Sequence, residues 1–180
     1  TCGLRINGRV TCWGWYSTNG DSSIDGVTFS QVSAGFGFNC GVRNDGTAVC
    51  WDDNDYGQSS PPSGTFTQVS AGEGYACGVH SDGTAACWGN NDHGQSSPPG
   101  GTFIQVSAGY DHACGVRSDG TAACWGDNDY GQSSPPVGVF TQITVGLRHS
   151  CGLRGNGAAV CWGGGSHGES VPPAGVTFIP

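Results

Sequence analysis

The sequence contains no lysine and no methionine, and charged residues of either sign are scarce. Only 11% of its 180 residues are charged, and the formal net charge is −8. Nucleic acids and anionic lipid surfaces are bound through clusters of basic side chains. Because the six basic residues form no cluster, we expect no binding to nucleic acid.

Long apolar runs are absent as well. No stretch approaches the roughly 18–20 consecutive apolar residues of a membrane-spanning helix, so no membrane insertion is expected. No signal-peptide pattern is present, and the chain begins at Thr1. These features are typical of a processed chain or a fragment.

Helical periodicity is also missing. No run of ten residues has the apolar spacing of a helix, whereas Val, Thr, Phe, Cys and Trp occur in runs of four to seven between Gly, Asp, Asn, Ser and Pro. The 34 glycines and 9 prolines would suggest disorder in an aperiodic chain, but here they recur with a fixed period. The sequence therefore predicts an all-β repeat protein.

The ten cysteines set the period of the repeat. They form five pairs, each with partners ten positions apart, and successive pairs follow at intervals of 37 or 38 residues. The pairs are Cys2 and Cys12, Cys40 and Cys50, Cys77 and Cys87, Cys114 and Cys124, and Cys151 and Cys161. The corresponding repeats span approximately 1–28, 29–65, 66–102, 103–139 and 140–180.

The spacing within a pair predicts a stapled β-hairpin. A three-residue loop ending in Gly46 suits a type I turn followed by a left-handed residue in a G1 bulge. Counting back from Arg43 opposite Thr47, Cys40 then faces Cys50 in a non-hydrogen-bonded pair, where side chains come closest. We therefore expect one cross-strand disulfide in every repeat, each contributing about 2–3 kcal/mol on the chain-entropy model.

Other uses of the cysteines fit less well. Zinc sites usually contain closely spaced ligand pairs such as Cys-x-x-Cys, which do not occur here, and catalytic thiols would not come in five equivalent pairs. Disulfides at this density indicate an oxidising compartment. We expect a secreted or cell-surface protein that needs no metal or other cofactor.

The repeats favour a ring of blades. Each unit supplies a strand near Phe-Thr-Gln-Val-Ser-Ala-Gly, two hairpin strands and a short fourth stretch through Gly-Gln-Ser-Ser-Pro-Pro. This pattern predicts a five-bladed β-propeller, although a linear solenoid is an alternative. Because Phe178 matches Phe140, the C-terminal segment is expected to complete the first blade. The equivalents of 143–149 are missing before Thr1, so a short blade, a longer protein or a neighbouring molecule are all open explanations.

The best-preserved copies resemble a known family. Residues 108–126 read Ala-Gly-x-x-His-x-Cys-Gly-Val-Arg-Ser-Asp-Gly-Thr-Ala-Ala-Cys-Trp-Gly, and 128–132 read Asn-Asp-Tyr-Gly-Gln. This pattern is similar to the regulator-of-chromosome-condensation repeat, and five copies of it cover essentially the whole chain. The first copy departs from it at 13–23, and the fifth has Glu169 in place of Gln.

The resemblance implies a β-propeller, usually of seven blades, with diverse functions. These functions include nucleotide exchange on a small GTPase with chromatin binding, β-lactamase inhibition, and the extracellular part of Crinkly-type receptor kinases. The cysteine-paired version resembles the extracellular members. Acidity and disulfides argue against the nuclear activity, which we do not carry over.

The turn after each Cys-Trp is the first candidate site. An aromatic face beside amide and carboxylate groups suits a sugar, and repetition would add avidity. The alternative is turn chemistry, since Asn and Asp cap turns through their own backbone; calcium is a weaker possibility because the EF-hand ligand spacing is absent. The candidate ligand-binding residues are Asn54, Tyr56, Asn91, His93, Asn128 and Tyr130, together with Trp15, which breaks the repeat.

Other conspicuous residues are interpreted as packing. His112 and His149 occupy a position that holds Phe38 and Tyr75 in other copies, and a position that accepts all three residue types indicates packing. The Trp after each second Cys is expected to be wedged between blades; these residues are Trp13, Trp51, Trp88, Trp125 and Trp162.

No catalytic residues stand out. The serines lie in turns without a nucleophile-elbow pattern, and no phosphate-binding glycine loop precedes a helix. We therefore expect a non-enzymatic binding or adhesion module that recognises an extracellular protein or glycan. The alternative is a structural subunit of an extracellular fibre or surface assembly, a homo-oligomer or polymer with the seam completed by a neighbour.

Overall fold

The computed structural model describes residues 1–14, 24–165, 168–173 and 176–179. All of the secondary-structure elements in these ranges are β-strands, and they include no helix that is long and apolar enough to span a membrane. The strands are β1 (Cys2–Leu4), β2 (Val10–Cys12), β3 (Phe29–Ala34), β4 (Phe38–Arg43), β5 (Ala48–Asp52), β6 (Phe66–Ala71), β7 (Tyr75–His80), β8 (Ala85–Gly89), β9 (Phe103–Ala108), β10 (His112–Arg117), β11 (Ala122–Gly126), β12 (Gln142–Val145), β13 (His149–Leu153) and β14 (Ala159–Gly163).

The strands form one antiparallel sheet per repeat. In chain order the sheets are β1-β2, β3-β4-β5, β6-β7-β8, β9-β10-β11 and β12-β13-β14. In each hairpin the two cysteines face each other, as the loop length predicts. All five disulfides are present within their own repeats, with Cα atoms 4.0 Å apart. The predicted all-β fold with one staple per blade is confirmed.

The hairpin turn has the predicted chemistry. The amide of Gly46 donates to the carbonyl of Arg43 at 2.9 Å, and Gly46 has a φ of 87°, in the left-handed region that favours glycine. Asp45 accepts hydrogen bonds from the backbone amide and hydroxyl of Thr47 at 2.9 and 2.7 Å. These bonds lower the pKa of Asp45, and they close the loop.

The expected fourth stretch is not a strand. Residues 57–62 form turns and irregular backbone, and a Pro-Pro pair cannot donate to a strand ladder. The stretch instead buries Gln58, which has no exposed surface, and leads to an isolated bridge between Thr47 and Thr65. The complete blades among the described residues are therefore three-stranded.

Consecutive blades pack face to face. The face of one blade that carries the disulfide lies against the Phe and Trp of the next blade. In the second and third blades, for example, Cys40 and Val42 pack with Phe66 and Trp88. Three further clusters repeat this arrangement along the chain. The Phe and Trp rings within a blade lie 5.7–6.0 Å apart, a distance at which aromatic pairs attract.

Hydrogen bonds also connect the first strands of neighbouring three-stranded blades. Gln68 of β6 donates through Nε2 to the carbonyl of Val106 at 2.7 Å and accepts from its amide at 2.8 Å. Ser70 accepts from the amide of Ala108 at 3.0 Å. The same bonds are made from Gln31, Ser33, Gln105 and Ser107. This ladder fixes the register between sheets, because each Gln satisfies both backbone groups of one residue.

The first and last blades differ from those between them. Trp13 is 54% exposed, whereas the other four tryptophans are 2–9% exposed; the prediction that it is wedged between blades is wrong, because no described sheet covers its face. The amide of Phe178 donates to the carbonyl of Gly157 at 2.8 Å. This bond is equivalent to the one that the amide of Phe140 donates to the carbonyl of Gly120. That the C-terminal segment completes the first blade stays a prediction.

Candidate binding face

One end of the blades carries two sets of connections, which together we call the loop face. The first set consists of the tight loops 35–37, 72–74, 109–111 and 146–148 between the first and second strands of a blade. The second consists of the turns 53–57, 90–94 and 127–131 that follow the third strand. Because the strands are antiparallel, both sets lie at the same end of each sheet. The amide of Asn90 donates to Gly74 at 2.8 Å, which ties one set to the other.

A column of glycines holds the tight loops together. A Cβ atom on Gly35 would lie 2.5 Å from the carbonyl oxygen of Gly72, and one on Gly72 would lie 2.4 Å from that of Gly109. A Cβ atom on Gly109 would lie 2.5 Å from the carbonyl oxygen of Gly146. No side chain fits at these distances. The glycines therefore allow four backbone loops to pack directly against one another.

The residue that follows each of these glycines differs in every copy. It is Phe36, Glu73, Tyr110 or Leu147, within a frame of Ala-Gly or Val-Gly that hardly changes. Phe36 is 62% exposed, Tyr110 40% and Leu147 57%. The four side chains line a groove of about 260 Å³, which we call the variable groove. This groove was not predicted from the sequence, although the sequence contains a signal for it, namely one position that varies inside a constant frame.

Glu73 is the one acidic side chain among the described residues that line the variable groove. Partial burial raises the pKa of Glu73, and the nearby hydroxyl of Tyr110, which favours the charged form, offsets only part of this shift. The negative charge of Asp111 also raises this pKa. The groove thus combines an incompletely solvated carboxylate with exposed apolar and aromatic surface.

The predicted asparagines lie in the second set of turns. Asn128 accepts from the amide of Ser133 at 2.9 Å and donates through Nδ2 to Ser134 at 3.0 Å. Asn54 and Asn91 make the same two contacts with their own serines. These amides cap the turn, as the turn-chemistry interpretation expects. A ligand-binding role for them stays a prediction.

The aromatic members of the predicted site are exposed to solvent. Tyr56 and Tyr130 are 60% and 50% exposed, and His93 is exposed near Asp111. Burial raises the pKa of Asp111, and the neighbouring His93 offsets only part of this shift. The guanidinium carbon of Arg148 lies 4.7 Å from the centroid of the Tyr130 ring. Trp15, the remaining predicted residue, lies outside the described residues.

The histidine position is a packing position, as predicted. His112 has no exposed surface, and its Nε2 lies 2.9 Å from the hydroxyl of Ser150 in the next blade. The equivalent Tyr75 is also fully buried and donates its hydroxyl proton to the carbonyl of His112. Burial lowers the pKa of His112 to about 4, so the imidazole is neutral at physiological pH.

The described residues contain no group of three or more His, Cys, Asp or Glu side chains arranged to hold a metal ion. The loop face presents aromatic rings, apolar side chains and scattered carboxylates. The packing of one antiparallel sheet per repeat against the next defines the β-propeller fold.

The repeat itself identifies the family. The family model for the regulator of chromosome condensation (RCC1) repeat matches residues 29–58, 66–95, 103–132 and 140–169. These four stretches make up two-thirds of the chain. The chain therefore belongs to the RCC1 repeat family. The comparison with curated protein sequences gives no match.

Solved structures with the same fold include plant receptor ectodomains. The CRINKLY WD40 ectodomain of the Arabidopsis thaliana receptor kinase ACR4 has a TM-score of 0.78 and 29% identity over 95% of this chain and 62% of its own. The entire ectodomain of the Physcomitrella patens receptor kinase CR4 has a TM-score of 0.81 and 28% identity over 96% and 52%. The chain thus spans little more than half of these ectodomains.

Prp20p from Saccharomyces cerevisiae, studied for its binding to Gsp1p and histones, also has this fold. Its TM-score is 0.77, with 18% identity over 91% of this chain and 56% of Prp20p. At this identity the likeness concerns the fold alone.

Proposed function

We propose that the chain is an extracellular, non-enzymatic recognition module that binds a partner protein or glycan through the loop face. The observation that carries this proposal is the variable groove. Four equivalent positions in a constant frame hold four different side chains, and three of these are exposed apolar or aromatic residues. A rigid frame that presents variable exposed side chains is the usual design of a binding surface.

The surroundings of the groove support a role in binding. Tyr56 and Tyr130 add exposed aromatic surface at the same end of the blades, and aromatic residues are enriched where proteins bind proteins or sugars. The five disulfides favour an oxidising compartment. The two plant structures are receptor ectodomains, which supports an extracellular location for this chain.

The test is capture of a partner with and without the groove residues. The protein is immobilised and exposed to a native extracellular extract and to a glycan array. We expect specific binding that the double variant Phe36→Ser, Tyr110→Ser reduces at least tenfold. The matched control is Val137→Ser, which removes an apolar side chain that is 97% exposed away from the loop face. Binding that is absent at high micromolar concentration, or equal in both variants, would refute the proposal.

A structural role is the second candidate, and the end blades favour it. Trp13 is exposed on the first blade, and a groove of about 640 Å³ on the last blade contains Leu153, Val171 and Phe178. Between neighbouring blades inside the chain, the face that carries the Trp packs against the face that carries the disulfide of the preceding blade. Sedimentation over a range of concentrations tests association between copies. Assembly that Trp13→Ser abolishes supports this candidate, and a monomer of 18.3 kDa at all concentrations opposes it.

A further inference from the structure

The variable groove has the chemistry of a site for one kind of side chain. Its single carboxylate, Glu73, lies among Phe36, Tyr110 and Leu147. The backbone holds these residues side by side, because the amide of Phe36 donates to Gly72 at 3.0 Å and that of Glu73 donates to Gly109 at 3.1 Å. The groove is therefore built on hydrogen-bonded main chain rather than on mobile side chains.

The carboxylate of Glu73 has the properties of a binding site for a cation. Partial burial raises the pKa of Glu73, which means that water solvates its charge less well than on an open surface. The hydroxyl of Tyr110 lies near enough to favour the charged form, and a carboxylate has room for several hydrogen-bond donors. A planar cation that supplies two N–H donors would fill this need and could cover the neighbouring rings.

Guanidinium groups already lie over aromatic rings at two other places in this protein. Arg148 lies over the ring of Tyr130 at 4.7 Å, and Arg117 lies over Phe103 at 4.9 Å. Guanidinium groups stack on aromatic faces because they are planar and weakly hydrated. A volume of about 260 Å³ accommodates a guanidinium group and part of its aliphatic stem.

We propose that the variable groove binds an arginine side chain of a partner protein, with the guanidinium hydrogen-bonded to Glu73 and covering the aromatic walls. This proposal rests on the proposed function and names the partner's contact group. The formal net charge of −8 and the nearby carboxylate of Asp111 attract such a group over a longer range. Arg148 opposes it, but its guanidinium is stacked on Tyr130.

The experiment uses a pair of probes that match in shape but differ in charge and in one terminal group, which is an N–H₂ donor in arginine and a carbonyl oxygen in citrulline. The peptides acetyl-Gly-Arg-Gly-amide and acetyl-Gly-citrulline-Gly-amide have nearly the same shape, but citrulline is neutral. Each peptide is titrated into the isotopically labelled protein and followed by NMR. We expect the arginine peptide to shift the amide resonances of Gly72, Glu73 and Tyr110 and to bind about tenfold more tightly than the citrulline peptide.

Two isosteric variants test the residue assignment. Glu73→Gln keeps the shape of the side chain but removes its charge, and it should weaken the arginine peptide about tenfold, to the level of the citrulline peptide. Asp129→Asn, the control, removes one charge from an exposed position in the turn 127–131 and should change affinity less than twofold. An arginine preference that survives Glu73→Gln would overturn the assignment, as would equal binding of the two peptides.

The result separates this inference from the proposed function. If Phe36→Ser, Tyr110→Ser abolishes capture of a partner while Glu73→Gln leaves that capture and the peptide binding unchanged, the loop face is a recognition site but does not select arginine. If neither variant affects any binding, the proposed function fails together with the inference.

Discussion

The buried imidazole of His112 gives the protein a pH dependence that a single substitution should remove. His112 has no exposed surface, and its Nε2 is engaged with Ser150 at 2.9 Å. No hydrogen-bond partner for Nδ1 is found among the described residues. A second proton would therefore be placed on a buried nitrogen without an acceptor.

The magnitude follows from the difference in pKa between the folded and unfolded states. Burial is the largest influence and lowers the pKa of His112 from 6.5 to about 4; the charge of Asp127 and the backbone of His149 oppose the shift, and the side chain of His149 reinforces it. Because the unfolded chain binds the proton more tightly than the folded chain, acid favours unfolding. His112 therefore leaves the free energy of unfolding unchanged above about pH 6.5 and lowers it as the pH falls towards about 4. At 1.36 kcal/mol per pKa unit, the loss amounts to about 3 kcal/mol.

The substitution His112→Phe isolates this effect. Phe38 occupies the equivalent position in the second repeat, and the hydroxyl of Ser150 keeps its hydrogen bond to Gln132 at 3.2 Å. The free energy of unfolding is measured by guanidinium denaturation with intact disulfides, from pH 7.5 down to pH 4. Carboxylates that titrate in this range are common to both proteins and cancel in the difference.

We expect the difference in the free energy of unfolding, wild type minus variant, to be constant above about pH 7 and to fall by about 3 kcal/mol towards about pH 4. An NMR titration of the imidazole gives the same pKa independently. A difference that stays constant from pH 7 to pH 4, or an imidazole that titrates near 6.5, would show that His112 is not desolvated in the folded protein.

Three further predictions concern the stability of the fold. Gly72→Ala should cost about 1–3 kcal/mol, because its Cβ would lie 2.4 Å from the oxygen of Gly109, whereas Gly100→Ala, with open space around it, should be neutral in the same thermal unfolding assay. Gln68→Leu should cost about 2 kcal/mol by leaving both backbone groups of Val106 unpaired; the exposed Gln142 is the control, and equal effects would contradict a ladder between blades. Replacing Cys77 and Cys87 by alanine should cost about 2–3 kcal/mol in chemical denaturation, and peptide mapping of the intact protein should recover five bridges within repeats and none between them.

The local features of the protein were predictable from the sequence because they depend on residues close together in the chain. A loop of fixed length ending in a glycine determines which residues of a hairpin face each other, so the pairing of Cys40 with Cys50 followed from counting. The Asp-Gly turns and the capping asparagines are equally local. The periodicity of the cysteines then gave the number of blades.

The contacts between blades were decided by the tertiary structure. The sequence shows a Gln in each first strand, but only the packing of sheets brings Gln68 to the backbone of Val106, 38 residues away. The same packing brings Phe36, Glu73, Tyr110 and Leu147 around one groove, although they are spaced a full repeat apart. It also leaves Trp13 exposed while its four counterparts are buried, because burial depends on the neighbouring sheet and not on the repeat that contains the residue.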